Sequence, residues 1–267
     1  MMEQLGYAID IAKRAGAFVK GMKGHVAMSE KKINDLVTEA DIASQKMIKE
    51  ALLRQFPESQ FFGEEDENRP PLDSEGLWIV DPLDGTNNYA QGLPVYCVSI
   101  AYASNGEVLC GCIYDPERDE LFSAQKGGGA YLNGNRITVS NRSTLQQSIA
   151  AVGFYYDRGE LMERTLCSIQ ALFKNNVRGI RRMGSAAIDL SWLACGRFDA
   201  YFEYTLSPWD FAAGMLLVRE AGGVLNDRDG GPFNLTSTGV IASNGRFQEE
   251  LVSMIGYSKV KNCFLQN

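Results

Sequence analysis

One segment constrains this chain more than any other: Leu77-Trp78-Ile79-Val80 running into Asp81-Pro82-Leu83-Asp84-Gly85-Thr86. The four apolar residues predict a buried strand, which the chain leaves through two carboxylates set three positions apart. Side chains at such a strand end emerge from the sheet into a loop. Pro82 narrows the turn, and Gly85 permits a backbone conformation and a close approach that a Cβ would obstruct. Thr86 then caps a short helix. The same letters also fit an ordinary turn, because Asp-Gly is common turn chemistry. The rest of the chain has to decide between the two.

Around this segment the pattern divides in two. Leu5, Ala8, Ile9, Ala12, Ala15 and Val19 recur at helical spacing and predict a helix over 3–21. Asp41 reads as the N-cap of a second helix that stops before Pro57. Strand-like runs follow at 60–63, 77–80, 96–103, 108–114 and 120–124, separated by turn residues, and suggest an antiparallel meander. Beyond about Ser140, strands at 149–154, 200–204, 223–225 and 240–242 alternate with helices at 159–174, 185–196, 208–221 and 245–256. The expectation is an α+β half over 1–140 and an α/β half over 141–267. No linker separates the halves, so they are expected to share a wide interface.

Composition narrows the partners. A chain of 267 residues with 26 basic and 33 acidic side chains carries a formal charge of −7, which argues against nucleic acid or an anionic membrane as partner. No run approaches the ~20 apolar residues of a membrane span, and the N-terminus lacks the apolar core of a signal peptide. Six cysteines fall mostly within apolar runs, without zinc or disulfide-scaffold spacing, and read as buried free thiols in a reducing cytoplasm.

The carboxylates have company. Gly63-Glu64-Glu65-Asp66 follows another strand-like run, and Ser207-Pro208-Trp209-Asp210 heads a helix as a capping box. Clustered acids repel unless a cation sits among them, and Mg²⁺ favours hard oxygen ligands of this kind. Asp210 can cap its helix with one oxygen and turn the other to a metal. Other chemistries lack their parts. The only histidine, His25, has no nucleophile motif nearby and reads as a surface residue, so Ser-His and Cys-His hydrolysis are disfavoured. No P-loop is present, and the glycines of 127–134 fail dinucleotide spacing and suggest a hairpin. Pro82 stands where a phosphoaspartyl enzyme would need its second acid.

Taken together, WIVDPLDGTNNY, the upstream GEE and the downstream PWDFAAGMLLVREAGG resemble the inositol monophosphatase family over nearly the whole chain. The resemblance implies a layered αβαβα sandwich and a Mg²⁺-dependent phosphoric monoester hydrolase with two to three Mg²⁺ per subunit. The implied ligands are Glu64, Asp81, the Leu83 carbonyl, Asp84 and Asp210, with the amides of Gly85 and Thr86 on the phosphate. Asp41 would lie behind the metal site; a basic residue that the family places near the phosphate matches Lys31 or Lys32 ambiguously, and neither is assigned. The implied chemistry is in-line attack by water, positioned and deprotonated by Glu64 and Thr86, with Asp84 helping to stabilise the leaving oxygen.

Glu203 matches an acid that contacts inositol hydroxyls, with Ser185 and Ala186 in the neighbouring substrate loop. These point to a small phosphorylated polyol or sugar, foremost myo-inositol monophosphate. Relatives act on fructose 1,6-bisphosphate, histidinol phosphate, 3′-phosphoadenosine phosphate or NADP phosphate, which are the alternatives. A homodimer and inhibition by Li⁺ are further implications. A reading from another class, a regulatory binding protein with a vestigial metal site, would have been favoured by a substitution at a metal position, and none is found.

Overall fold

The computed structural model describes residues 2–24, 28–32, 35–155 and 158–260, with 28–32 and 35–37 described by their backbone alone. In chain order the elements are α1 (Met2–Met22), β1 (Met28–Lys32), β2 (Asp35–Thr38), α2 (Glu39–Gln55), β3 (Gln60–Gly63), β4 (Leu77–Asp84), α3 (Thr86–Ala90), β5 (Cys97–Ser104), β6 (Glu107–Asp115), β7 (Glu120–Gln125), β8 (Gly129–Leu132) and β9 (Asn135–Ile137). There follow β10 (Ile149–Val152), α4 (Glu160–Lys174), β11 (Gly179–Arg181), α5 (Ala186–Ala194), β12 (Ala200–Glu203), α6 (Pro208–Glu220), β13 (Val224–Asp227), β14 (Val240–Ser243) and α7 (Gln248–Ile255).

Period-two alternation along the strands builds the layers. In the seven-stranded sheet, ordered β3 through β9, Trp78, Val80, Ile100 and Cys112 face α1 and α2. The intervening Leu77, Ile79, Ala101 and Ile113 face the opposite way, onto α5 and α6. Ala151, Tyr201, Leu225 and Ala242 of the five-stranded sheet, ordered β11-β10-β12-β14-β13, close on those helices from the far side. The outer face of that sheet, with Ala150, Val152, Phe202 and Ile241, is covered by Leu172 of α4 and by Leu251 and Ile255 of α7. The order is therefore helices, sheet, helices, sheet, helices, the αβαβα sandwich expected. Sandwiched on both sides, α5 and α6 are buried nearly all round, and their sequences are correspondingly apolar on every face.

Two pairings matter for the site. The meander from β4 to β9 is antiparallel, but β3 runs parallel to β4 with Gly63 opposite Val80. Both strands thus end at one edge, and Glu64 N–H donates to Val80 O at 3.2 Å. In the second sheet β10 runs parallel to β12, with Val152 opposite Phe202. The carboxyl ends of paired parallel strands are where open α/β sheets bind ligands.

Several local expectations need correction. Thr38, not Asp41, caps α2; its side chain accepts from Ala40 N–H, and Asp41 closes the capping box from the third helical position. The helix after β4 begins at Thr86, with Gly85 in the cap position at φ 97° and no side-chain cap. The β1–β2 hairpin and β11 were not foreseen. Cys97, Cys110, Cys112 and Cys195 are free, whereas Cys167 is disulfide-bonded, contrary to free thiols throughout. His25 and Cys263 lie outside the described residues, as do the side chains of Lys31 and Lys32. Among the described residues no helix is long and apolar enough to cross a membrane.

Candidate active site

A bulge aims the two aspartates of β4. Asp81 pairs with Ser99 and Asp84 with Cys97, so three steps along β4 match two along β5. In a regular strand Asp81 and Asp84 would face opposite ways; the extra residue at Pro82-Leu83 brings both into one cleft. Leu83 is buried and its N–H donates to Asp81 Oδ1 at 2.9 Å. Its carbonyl stays on the cleft side, 3.0 Å from Thr86 Oγ1. Gly85 then turns the chain with a positive φ, and a Cβ there would stand 2.8 Å from Val95 O.

The cleft, of about 680 Å³, is lined by Glu64, Asp81, Leu83, Asp84, Gly85, Thr86, Ser185, Ala186, Glu203 and Asp210, among others. All of the anticipated site residues except Asp41 therefore meet in it. Asp41 lies just behind, buried, with Oδ1 2.9 Å from Thr86 Oγ1 and Oδ2 accepting Thr38 N–H at 2.9 Å. Asp84 Oδ2 accepts from Ser185 Oγ at 2.5 Å and from Ala187 N–H at 2.7 Å, at the start of α5. Asp210 Oδ2 accepts from Ser207 N–H at 2.7 Å, at the start of α6. The backbone thus fixes one oxygen each of Asp81, Asp84 and Asp210 and leaves the geometry of the other to the cleft.

Electrostatics set the site under tension. Burial, then the charges of Glu64, Asp84 and Asp210, pushes Asp81 well above the usual carboxylate range. Asp210 is raised by burial, then by Glu64 and Asp84. Burial raises Asp84 as well, against the Ser185 and Ala187 hydrogen bonds. Among the described residues no three acidic, histidine or cysteine side chains already converge as a closed metal cluster. Mutual repulsion opposes such closure in the absence of a cation. The donor set, carboxylates and a carbonyl without nitrogen or sulfur, fits a hard divalent ion that keeps several waters.

Sequence reasoning missed the residues that hold these groups. Arg69 donates from Nε to Gly63 O at 2.9 Å and from Nη2 to Glu64 O at 2.5 Å, while its guanidinium lies 4.4 Å from the Trp209 ring centroid. It clips the Glu64 loop to the head of α6, and its place in a turn-rich stretch gave no signal. Asn88 Nδ2 donates to Val95 O and to Met183 O, each at 2.8 Å, tying α3 to the loop before α5. Ser185 was read as a substrate contact; it also caps α5 through Ile188 N–H and gives its hydroxyl to Asp84. At the far end of the cleft Glu203 accepts from Tyr201 Oη at 2.7 Å, and burial pushes its pKa up to about 7. Arg182 stands at the rim nearby.

Comparison with known proteins agrees with this fold. The model of the inositol monophosphatase family matches residues 1–258. The chain is 42% identical over 264 residues to inositol monophosphatase 1 of Solanum lycopersicum, covering 96% of each. It is 40% identical over 258 residues to a protein of Haemophilus influenzae named Nus factor SuhB, again covering 96% of each. Among solved structures, inositol monophosphatase from Anabaena superimposes with a TM-score of 0.86 at 37% identity, covering 97% of both chains.

Proposed function

This chain belongs to the inositol monophosphatase family, and from that premise we propose that it hydrolyses myo-inositol monophosphate to inositol and phosphate with Mg²⁺. Phosphatase chemistry comes with the family; substrate and metal are the proposal. The observation that carries it is that Glu64, Asp81, Asp84 and Asp210 line one cleft together with the Gly85-Thr86 turn.

Glu64, Asp81, Asp84, Asp210 and the Leu83 carbonyl would hold two to three Mg²⁺, which when bound make water more acidic and neutralise charge on the phosphate and the leaving oxygen. The Thr86 hydroxyl, fixed by Asp41 and Leu83 O, orients the attacking water, and Glu64 takes its proton. The amides at Gly85 and Thr86 receive the phosphate. No side chain forms a covalent intermediate. Glu203, at the opposite end, accepts hydroxyls of the leaving polyol. In this reading residues 1–140 supply most metal ligands, and 141–267 supply Asp210 and the leaving-group contacts with Ser185 and Ala186. Resemblance to the family also supports a cytoplasmic homodimer and inhibition by Li⁺.

Phosphate release with and without Mg²⁺, from myo-inositol 1-phosphate, fructose 1,6-bisphosphate, histidinol phosphate, NADP and a 3′-phosphoadenosine nucleotide, tests the assignment. The highest kcat/KM is expected for myo-inositol 1-phosphate. Preference for another ester moves the chain to that substrate, and no release from any of them moves it to a regulatory binding role.

A further inference from the structure

We propose that Tyr201 and Gly153 form a positioning pair that fixes the Glu203 carboxylate and thereby sets selectivity for a hydroxyl-bearing leaving group. The inference rests on the reading that Glu203 faces that group. Strand β12 places residues 201 and 203 on the same face of the sheet. Tyr201 is fully buried there, and its phenol donates to Glu203 Oε2 at 2.7 Å. The neighbouring parallel strand supplies the second constraint. Gly153 follows β10 in register with β12, its N–H donating to Phe202 O at 3.0 Å. A Cβ on Gly153 would fall 1.7 Å from Glu203 Oε2 and 2.1 Å from Cδ. The carboxylate therefore rests against bare backbone on one side and is tied by a phenol on the other.

With Oε2 engaged, Oε1 is the acceptor that remains for a hydroxyl of the ligand. A carboxylate held in one rotamer discriminates among hydroxyl patterns, whereas one that swivels accepts from any donor within reach. Tyr201 touches no reacting atom in this scheme, and Gly153 contributes only the space its missing side chain leaves. The signal is only partly local in sequence: 201 and 203 share one strand, but 153 joins them only when β10 and β12 pair.

The experiment measures kcat/KM at saturating Mg²⁺ for myo-inositol 1-phosphate and for phenyl phosphate, whose leaving group has no aliphatic hydroxyl. Tyr201→Phe keeps the buried ring, and its melting curve checks folding. Expected is a fall of about fivefold in the ratio of the two kcat/KM values, through KM for the inositol ester. Gly153→Ala should lower the ratio as much or more, and Glu203→Gln sets the full effect of losing the carboxylate. Equal losses on both substrates in Tyr201→Phe would mean simple core damage and would overturn the proposal. A ratio lowered by Glu203→Gln but unchanged in Tyr201→Phe also overturns it, while sparing the polyol assignment. If Glu203→Gln leaves the ratio intact, the polyol assignment loses its support and the positioning pair falls with it.

Discussion

The two ends of the cleft are built in opposite ways. At the acidic end Asp81, Leu83, Asp84, Gly85 and Thr86 come from one continuous segment, joined by Glu64 through the parallel pairing of β3 with β4 and by Asp210 from the head of α6. At the other end Tyr201 and Glu203 of β12, Gly153 after β10 and Ser185 at the start of α5 meet only once the second sheet and α5 are assembled. On the proposed function, most of the chemistry would sit on a short contiguous stretch, and selectivity on parts that can change one at a time. In charge the difference is one of degree: burial is the first cause of the raised values at both ends, but Asp81 is also pushed up by Glu64, Asp84 and Asp210, and Glu203 by Asp84 alone.

The sharpest way to break that contrast is to remove a carboxylate from the acidic end. Asp84→Asn and Asp210→Asn should each abolish Mg²⁺-dependent phosphate release, beyond the ~100-fold that losing a mere orienting partner costs, while the melting curve stays cooperative. Ser185→Ala bridges the two ends. It removes the hydroxyl donor to Asp84 and should lower turnover roughly 10- to 100-fold and raise the Mg²⁺ concentration for half-activation, with Ala187 N–H still in place. Unchanged Mg²⁺ dependence would show that α5 does not hold Asp84 for the metal.

Protons compete with cations for the same oxygens. Raised folded-state pKa values at Asp81, Asp84 and Asp210 mean that the metal-free protein binds protons more tightly folded than unfolded, so its stability falls as pH rises through those values. Added Mg²⁺ should raise the melting temperature more at pH 8 than at pH 5, as followed by calorimetry; equal shifts would count against a carboxylate site. At the other end the effect is smaller. Glu203, raised from 4.5 to about 7, withdraws stability as pH climbs between those values, and Glu203→Gln should flatten that portion of the stability curve in urea titrations. Smallest of all, Arg69→Ala should cost only a few-fold in kcat, because its hydrogen bonds support Glu64 through the backbone and leave the carboxylate in place.

The same contrast explains what could be read in advance. Helices α1 and α4 announced themselves by period, because each has one buried and one solvated face, whereas the central strands of the meander, covered on both faces, showed as short apolar runs between turn residues. The Asp81–Thr86 segment was legible because its chemistry is contiguous. Asp41 was placed at the right helix end but in the wrong position, since Thr38 and Asp41 form a reciprocal pair whose two members are equally plausible caps from sequence. Strand β4 runs on to Asp84 rather than stopping at Val80, because a bulge keeps pairing alive past Pro82, and no local pattern signals a bulge. The Arg69–Trp209 and Gly153–Glu203 contacts were invisible for a simpler reason: they are made by tertiary structure alone.

The hydrogen bonds from α5 to Asp84 have a consequence in time. A chain emerging from the ribosome has made Asp81 and Asp84 about a hundred residues before Ser185 and Ala187 exist to hold them, an interval of roughly 5–20 s at ordinary synthesis rates. Asp210 comes later still. If the acidic segment holds a cation as proposed, it would have no finished cage for it during synthesis, and metal loading would be deferred until nearly the whole chain has been delivered.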